Sequence, residues 1–171
     1  MGEARHQRKI MMQFEVHGED ESGPLKTDND EPMSISKNYT LSLGEKAGLR
    51  HDLQAWRSRE FTEEELKGFN LKNVLGAWCM LTVTKERGRD GKEYTNISGI
   101  SPVPKALKTS LPEPHNDLAI FSLDAPDFAL FESLSDRIKA KIEASPEWKG
   151  LSKPKANTPN FHDISDEEIP F

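Results

Sequence analysis

A single cysteine, Cys79, stands in a chain of 171 residues. One thiol forms no internal disulfide framework and no thiolate zinc site. On the apolar side of an expected strand it reads as packing and not as a nucleophile. Long apolar runs are missing too. None approaches the ~18 residues of a membrane span, and the basic opening MGEARHQRKI is not followed by the ~7–15-residue apolar core of a secretory signal. The expectation is a cytoplasmic protein with no membrane contact. Catalytic signatures are equally scarce. The five histidines, His6, His17, His51, His115 and His162, show no metal-ligand spacing. No G-x-S-x-G element occurs. Gly91-Lys92 is followed by Glu93, where a phosphate-cradling loop needs Ser or Thr to hold magnesium. No catalytic residue, metal or cofactor is assigned, and the chain reads as a non-enzyme. Apolar residues are few, at 35% of the chain, with a mean hydropathy of −0.72. Part of the sequence is therefore expected to stay disordered.

What is present centres on residues 76–104, GAWCMLTVTKERGRDGKEYTNISGISPVP. Residues 77–84 alternate, with Cys79, Leu81 and Val83 on one side and Trp78, Met80, Thr82 and Thr84 on the other. Residues 94–100 are the partner strand, with Ile97 apolar among Tyr94, Asn96 and Ser98. The polar KERGRDGKE between them contains an Asp-Gly step, which is hairpin turn chemistry. The net charge of −6 argues against nucleic acid, but its distribution argues for it. Residues 71–110 hold seven basic and three acidic side chains, while residues 112–171 hold twelve acidic and six basic ones. A locally basic hairpin followed by an acidic tail fits a nucleic-acid surface with an appended acidic segment.

The flanking chain supplies further elements. Ile10, Met12, Phe14 and Val16 alternate through a first strand at 8–17, and 33–43 alternates again as a second. Residues 18–31 read as an acidic, solvated loop. Leu49, Leu53 and Trp56 mark a helix over 46–57, and Thr62 with Glu65 forms a capping box opening a short helix through Phe69. Residues 118–123 fit a short strand or an extended segment. From Asp124-Ala-Pro126, a helix with Phe128, Phe131, Leu134, Ile138 and Ile142 on one face is expected to run to Ser145-Pro146. This inventory predicts a mainly β fold. Its form would be an OB-type five-stranded barrel with inserted short helices, a C-terminal helix and a disordered acidic tail. An α+β sandwich is the alternative. The expected divisions are 1–110 for the barrel, 111–150 for a linker and a helix packed on it, and 151–171 for the tail.

Single-stranded nucleic acid needs aromatic faces for its bases and cations for its backbone. Trp78 and Tyr94 fall on the outer hairpin face, and Tyr39 and Trp56 are further aromatic candidates. Lys85, Arg87, Arg89 and Lys92 at the hairpin tip, with Arg57 and Arg59 after the first helix, supply phosphate contacts. Against this, Trp56 at helical spacing with Leu49 and Leu53 also reads as core, Trp78 as a barrel end-plug, and the charged tip as a solvated loop. The chain ends Asp166-Glu167-Glu168-Ile169-Pro170-Phe171. Acids followed by an apolar tip and a free carboxylate suit a peptide that steers to a basic surface and fills a pocket there.

That ending resembles the acidic C-terminal peptide of bacterial single-stranded DNA-binding proteins. The central segment is similar to bacteriophage-encoded OB-fold single-stranded DNA-binding proteins. There a G-x-x-C-x-L-x-V strand precedes G-K-x-Y-x-N-I and P-x-P-K, matched here by Gly76, Cys79, Leu81, Val83, Gly91, Lys92, Tyr94, Asn96, Ile97, Pro102, Pro104 and Lys105. The ending KIEASPEW, residues 141–148, also looks like that group. The resemblance implies single-stranded DNA binding during phage replication, in the host cytoplasm, with Asn96 joining the DNA-binding set. It also implies recruitment of replication, recombination and repair proteins through the tip. It leaves the oligomeric state open. A protein–protein adaptor and an RNA-binding cold-shock-like module remain alternative readings.

Overall fold

The computed structural model describes residues 7–151. The chain divides into one unit ending at Leu118 and a second beginning at Ala119. The first contains strands β1 (Lys9–Val16), β2 (Glu19–Asp20), β3 (Gly23–Pro24), β4 (Met33–Thr40), β5 (Met80–Arg87) and β6 (Glu93–Ser101). Helices α1 (Gly48–Arg57) and α2 (Glu63–Gly68) lie between β4 and β5. Short 3-10 turns cover Leu71–Val74 and Lys105–Ser110.

The strands form three antiparallel pairs, β1–β4, β2–β3 and β5–β6. This mixture of small strands and helices in short sheets is loosely compatible with the mainly β fold expected. No closed barrel forms among the described residues, because each ladder contains only two strands. Residues 118–123 form no strand. The β2–β3 pair lies inside the segment read as a loop, turning at Glu21-Ser22 ahead of Gly23, whose φ is 117°.

The β1–β4 register runs from Lys9↔Thr40 to Val16↔Met33. It sets Ile10 opposite Tyr39 and Phe14 opposite Ile35, so the alternation seen in each strand points one face of the pair at the core. Helix α1 packs on β4 and on β6. Its inward face is Leu49, Asp52, Leu53 and Trp56, with Leu49 and Leu53 the most deeply buried side chains. Each buried leucine contributes about 1.5–3 kcal/mol. Asp52 is the exception on that face, a carboxylate only 8% exposed. A buried charge needs partners, and β4 supplies both. Lys37 Nζ donates to Asp52 Oδ2 at 2.7 Å, and the Tyr39 hydroxyl donates to the same oxygen at 2.8 Å.

A β-bulge shapes the second long ladder. Thr82 pairs with Gly99 and Val83 with Ile97, leaving Ser98 as the extra residue on β6. Its hydroxyl donates to the Thr82 carbonyl at 3.1 Å. The extra residue lets Ile97 and Ile100, three apart, both face the core, where both are buried. Just ahead of β5, Gly76 has φ 77°. A Cβ there would lie 2.7 Å from Leu118 Cδ1, so both backbone and space call for glycine. Glu15 on β1 ties down the far end of this unit. Its carboxylate accepts the backbone N–H groups of His115 and Asn116, each at 2.8 Å. Burial alone would raise the Glu15 carboxyl, but these donors, with the Asn116 and His17 side chains, outweigh it and hold the pKa at about 2.

The second unit holds α3 (Phe128–Ser133), α4 (Asp136–Glu143) and α5 (Pro146–Lys149). The single helix expected from residue 124 to Ser145-Pro146 begins at Phe128 and is broken once, where Leu134 and Ser135 adopt extended backbone; it ends where expected, and α5 starts anew after the extended Ser145. The break and the turn at Ser145 have a packing reason. Trp148 stacks on Phe131 with ring centroids 4.3 Å apart, and Phe121 and Phe128 close around it. A continuous helix would carry Trp148 roughly 25 Å along its axis from Phe131. No described helix is long and apolar enough to cross a membrane.

Asp52→Ala removes the acceptor of a half-buried amine and a buried phenol, and is expected to lower the unfolding free energy by about 2–3 kcal/mol. Tyr39→Phe, which leaves the Lys37 pair in place, should cost about 1 kcal/mol. Urea melts of the two variants measure the difference.

Candidate nucleic-acid interface

The β5–β6 ladder runs past the core as a two-stranded arm. Beyond the bulge the cross-strand pairs are Val83↔Ile97, Thr84↔Asn96, Lys85↔Thr95, Glu86↔Tyr94 and Arg87↔Glu93. Paired residues share a face, and neighbours in a strand alternate. Val83, Lys85 and Arg87 therefore continue the side on which Ile97 meets the core. Thr84, Glu86, Tyr94 and Asn96 lie on the outer side, as Met80 and Thr82 do before the bulge. Tyr94 is thus on the face the sequence predicts. The cations Lys85 and Arg87 are on the opposite one, and all three side chains are exposed. Arg89 and Lys92 sit in the exposed turn between the strands.

The turn is built to hold Tyr94. Gly88 N–H donates to the Lys92 carbonyl at 2.8 Å, and Gly91, with φ 79°, closes the loop. A Cβ on Gly88 would meet Tyr94 Cε2 at 2.5 Å, so the ring lies directly against the glycine backbone. The Tyr94 hydroxyl donates to Asp90 Oδ2 at 2.5 Å. That bond raises the Tyr94 pKa and lowers that of Asp90. Tyr94 still keeps 47% of its surface exposed. Asn96 donates through Nδ2 to Glu86 Oε2 at 3.0 Å.

Other expected site residues are placed elsewhere. Tyr39 and Trp56, 6% and 8% exposed, belong to the core. Periodicity had put Trp56 in line with Leu49 and Leu53, and that alignment decides its place. Burial first, then the hydrogen bond to Asp52, push the Tyr39 phenol far above its ordinary pKa of 10. The Trp56 indole N–H donates to the Trp78 carbonyl at 2.9 Å. Trp78 itself is half-buried ahead of β5, its ring centroid 5.1 Å from that of His17. One flank of its ring is thereby occupied. Cys79 is packed, and burial raises its thiol to about 11.

Arg57 and Arg59 converge on Glu65, which the sequence marks only as half of a capping box. Both halves of that box form. Arg59 makes a two-pronged contact to Glu65, with Nη2 to Oε1 at 2.7 Å and Nη1 to Oε2 at 3.1 Å. Arg57 donates to the same carboxylate. The Arg59 hydrogen bonds, then the Thr62 N–H, and also Arg57 hold the Glu65 pKa at about 2. The Arg57 guanidinium lies 4.6 Å from the Phe61 ring centroid and 5.1 Å from that of Phe69. These π contacts accompany an Nη1 that is buried without a hydrogen-bond partner among the described residues. Beside the pair a pocket of about 400 Å³ is lined by Trp56, Phe69, Val74 and Ala77 as well as both arginines. Arg57 is thus mainly structural, and only Arg59 offers an exposed guanidinium there.

The structure leaves four exposed cations and one exposed aromatic on a single arm, with Arg59 in a separate cluster. Sequence reasoning missed the exposed Met80 and Val83, which alternation placed in the strand without saying where the core ends. Residues 166–171, the expected partner-binding tip, lie outside the described residues. Among the described residues no group of three His, Cys, Asp or Glu stands together to hold a metal ion. Comparison with protein families, curated proteins and solved structures finds no match to this chain.

Two titrations check this geometry. The chain has only two tyrosines, and ultraviolet titration is expected to find neither ionising at the ordinary 10, with Asp90→Asn bringing one of them down toward it. Glu65, depressed from 4.5 to about 2, stabilises the α1–α2 junction above pH 4.5 and loses that contribution as pH falls through 2. Carboxyl NMR should place its midpoint near 2, and Arg59→Ala should move it upward.

Proposed function

We propose that this chain is a single-stranded DNA-binding protein. It coats and protects single strands during phage DNA replication and recombination, and it recruits partner proteins through its acidic tip. One observation carries the reading: the β5–β6 arm extends beyond the core with Tyr94 exposed against a glycine turn, Lys85 and Arg87 exposed on the opposite face, and Arg89 and Lys92 exposed in the turn. A ring held by its turn keeps a face for a base at little entropic cost, and cations on the other side and at the tip track the phosphates. The contact of β4 with β6 beside α1 supports an OB-type arrangement of the two long ladders. The tip enters on its sequence alone, as an acidic peptide with a terminal aromatic residue. No cofactor or metal is required, and the host cytoplasm is the proposed compartment.

Trp56 and Trp148 are buried, so their intrinsic fluorescence is a poor reporter. Anisotropy of labelled oligo(dT) at two salt concentrations is the suitable measurement. Binding should weaken with salt. Tyr94→Ala should cost about 1–3 kcal/mol, the range for one stacked base. Each of Lys85→Ala and Arg87→Ala should flatten the salt slope by about 0.7. A flat titration at low salt with folded protein overturns the reading in favour of a protein–protein adaptor, and preference for oligo(U) favours an RNA-binding module.

A further inference from the structure

The outer face of the arm gathers hydrogen-bond acceptors between Thr84 and Tyr94. Glu86 stands directly across the ladder from Tyr94, and Asn96 across from Thr84. A carboxylate at neutral pH only accepts hydrogen bonds, so the Asn96 amide must turn its nitrogen to Glu86, as it does at 3.0 Å. Asn96 Oδ1 and Glu86 Oε1, both acceptors, are left without a partner among the described residues. The one proton of the Tyr94 hydroxyl is already given to Asp90. Lys85 and Arg87 lie on the other face. On this face, then, two carboxylates and an amide carbonyl stand as acceptors, with the Thr84 hydroxyl, the second amide hydrogen and, two residues before Tyr94, the Lys92 ammonium as donors.

Bases differ in what they show to such a face. Cytosine carries an N4 amino donor where thymine carries an O4 acceptor. We infer that the Tyr94 face discriminates among bases: it stacks one base and selects those with an exocyclic amino group, cytosine ahead of thymine, by accepting that N–H at Glu86 and Asn96. Thymine in the same place sets O4 against a carboxylate and gains no hydrogen bond. Glu86 and Asn96 become specificity-determining residues, while the phosphates run along the cationic face and the turn. The inference rests on the single-stranded DNA reading above.

Equal-length labelled oligonucleotides of dC, dU and dT, titrated at neutral pH and one salt concentration, test it. The dU strand separates the effect of the amino group from that of the thymine methyl. The dC strand should bind about fivefold or more tightly than dU and dT, the value of one net hydrogen bond. Glu86→Ala should bring the three affinities together, and Glu86→Lys, which substitutes a donor, should reverse the order. Equal affinities for dC and dU in the unaltered protein overturn the inference while leaving DNA binding intact, as does a preference that survives Glu86→Ala. Absence of binding to all three strands overturns both readings.

Discussion

Helix α1 must bury one face against two ladders that do not hydrogen-bond to each other, and Asp52 lies in the middle of that face. The carboxylate can be buried there only because β4 brings Lys37 and Tyr39 to the same oxygen. Leu49, Leu53 and Trp56 supply most of the apolar burial, but they would accept many relative positions of helix and strand. The hydrogen bonds at Asp52 accept few, and an acceptor left without partners in the core is costly. Trp56 extends the same helix face to the second ladder, because its indole N–H holds the backbone at Trp78 just before β5. The arm is therefore anchored by the helix at its root and free at its tip.

The bulge at Ser98 completes that design. Without an extra residue, Ile97 and Ile100 would point to opposite faces, and the arm would either leave the core or bury its polar side. With it, the inner side of β6 stays apolar up to Ile97, and the outer side carries Tyr94 and Asn96 beside Glu86. Lys85 and Arg87 thus stand back to back with the ring. Under the proposed function, that arrangement gives a charged backbone and flat bases different surfaces, with Glu86 on the side away from Lys85 and Arg87.

Much of the local structure was legible in the residues. The alternation of Ile10, Met12, Phe14 and Val16 has one physical meaning, a strand with one buried face. Thr62 and Glu65 form a capping box because the two groups satisfy each other over a single turn, with no help from distant residues. The helical stripe from Phe128 to Ile142 misled because spacing does not say whether a helix is continuous. Ser135 is acceptable inside a helix or at its end, and the choice fell to Trp148 finding Phe131, whereas Ser145-Pro146 marked the helix end in the sequence itself. The candidate site was legible in part. The charged turn and Tyr94 could be named, but the engagement of Arg57 and Arg59 by Glu65 could not, since it joins residues across a helix junction.

The sequence by itself determined the elements whose energetics are local: the β1 and β4 alternation, the α1 face, the capping box and the hairpin turn with its glycines. It also set the partition of charge that separates a basic hairpin from an acidic C-terminal part. Only the tertiary structure decided which aromatic rings remain available. Tyr39 and Tyr94 both sit in alternating strands, yet one is sealed by Asp52 and α1 and the other stands beyond the reach of the core. Burial depends on what lies across from a residue, and neighbours in sequence do not report that.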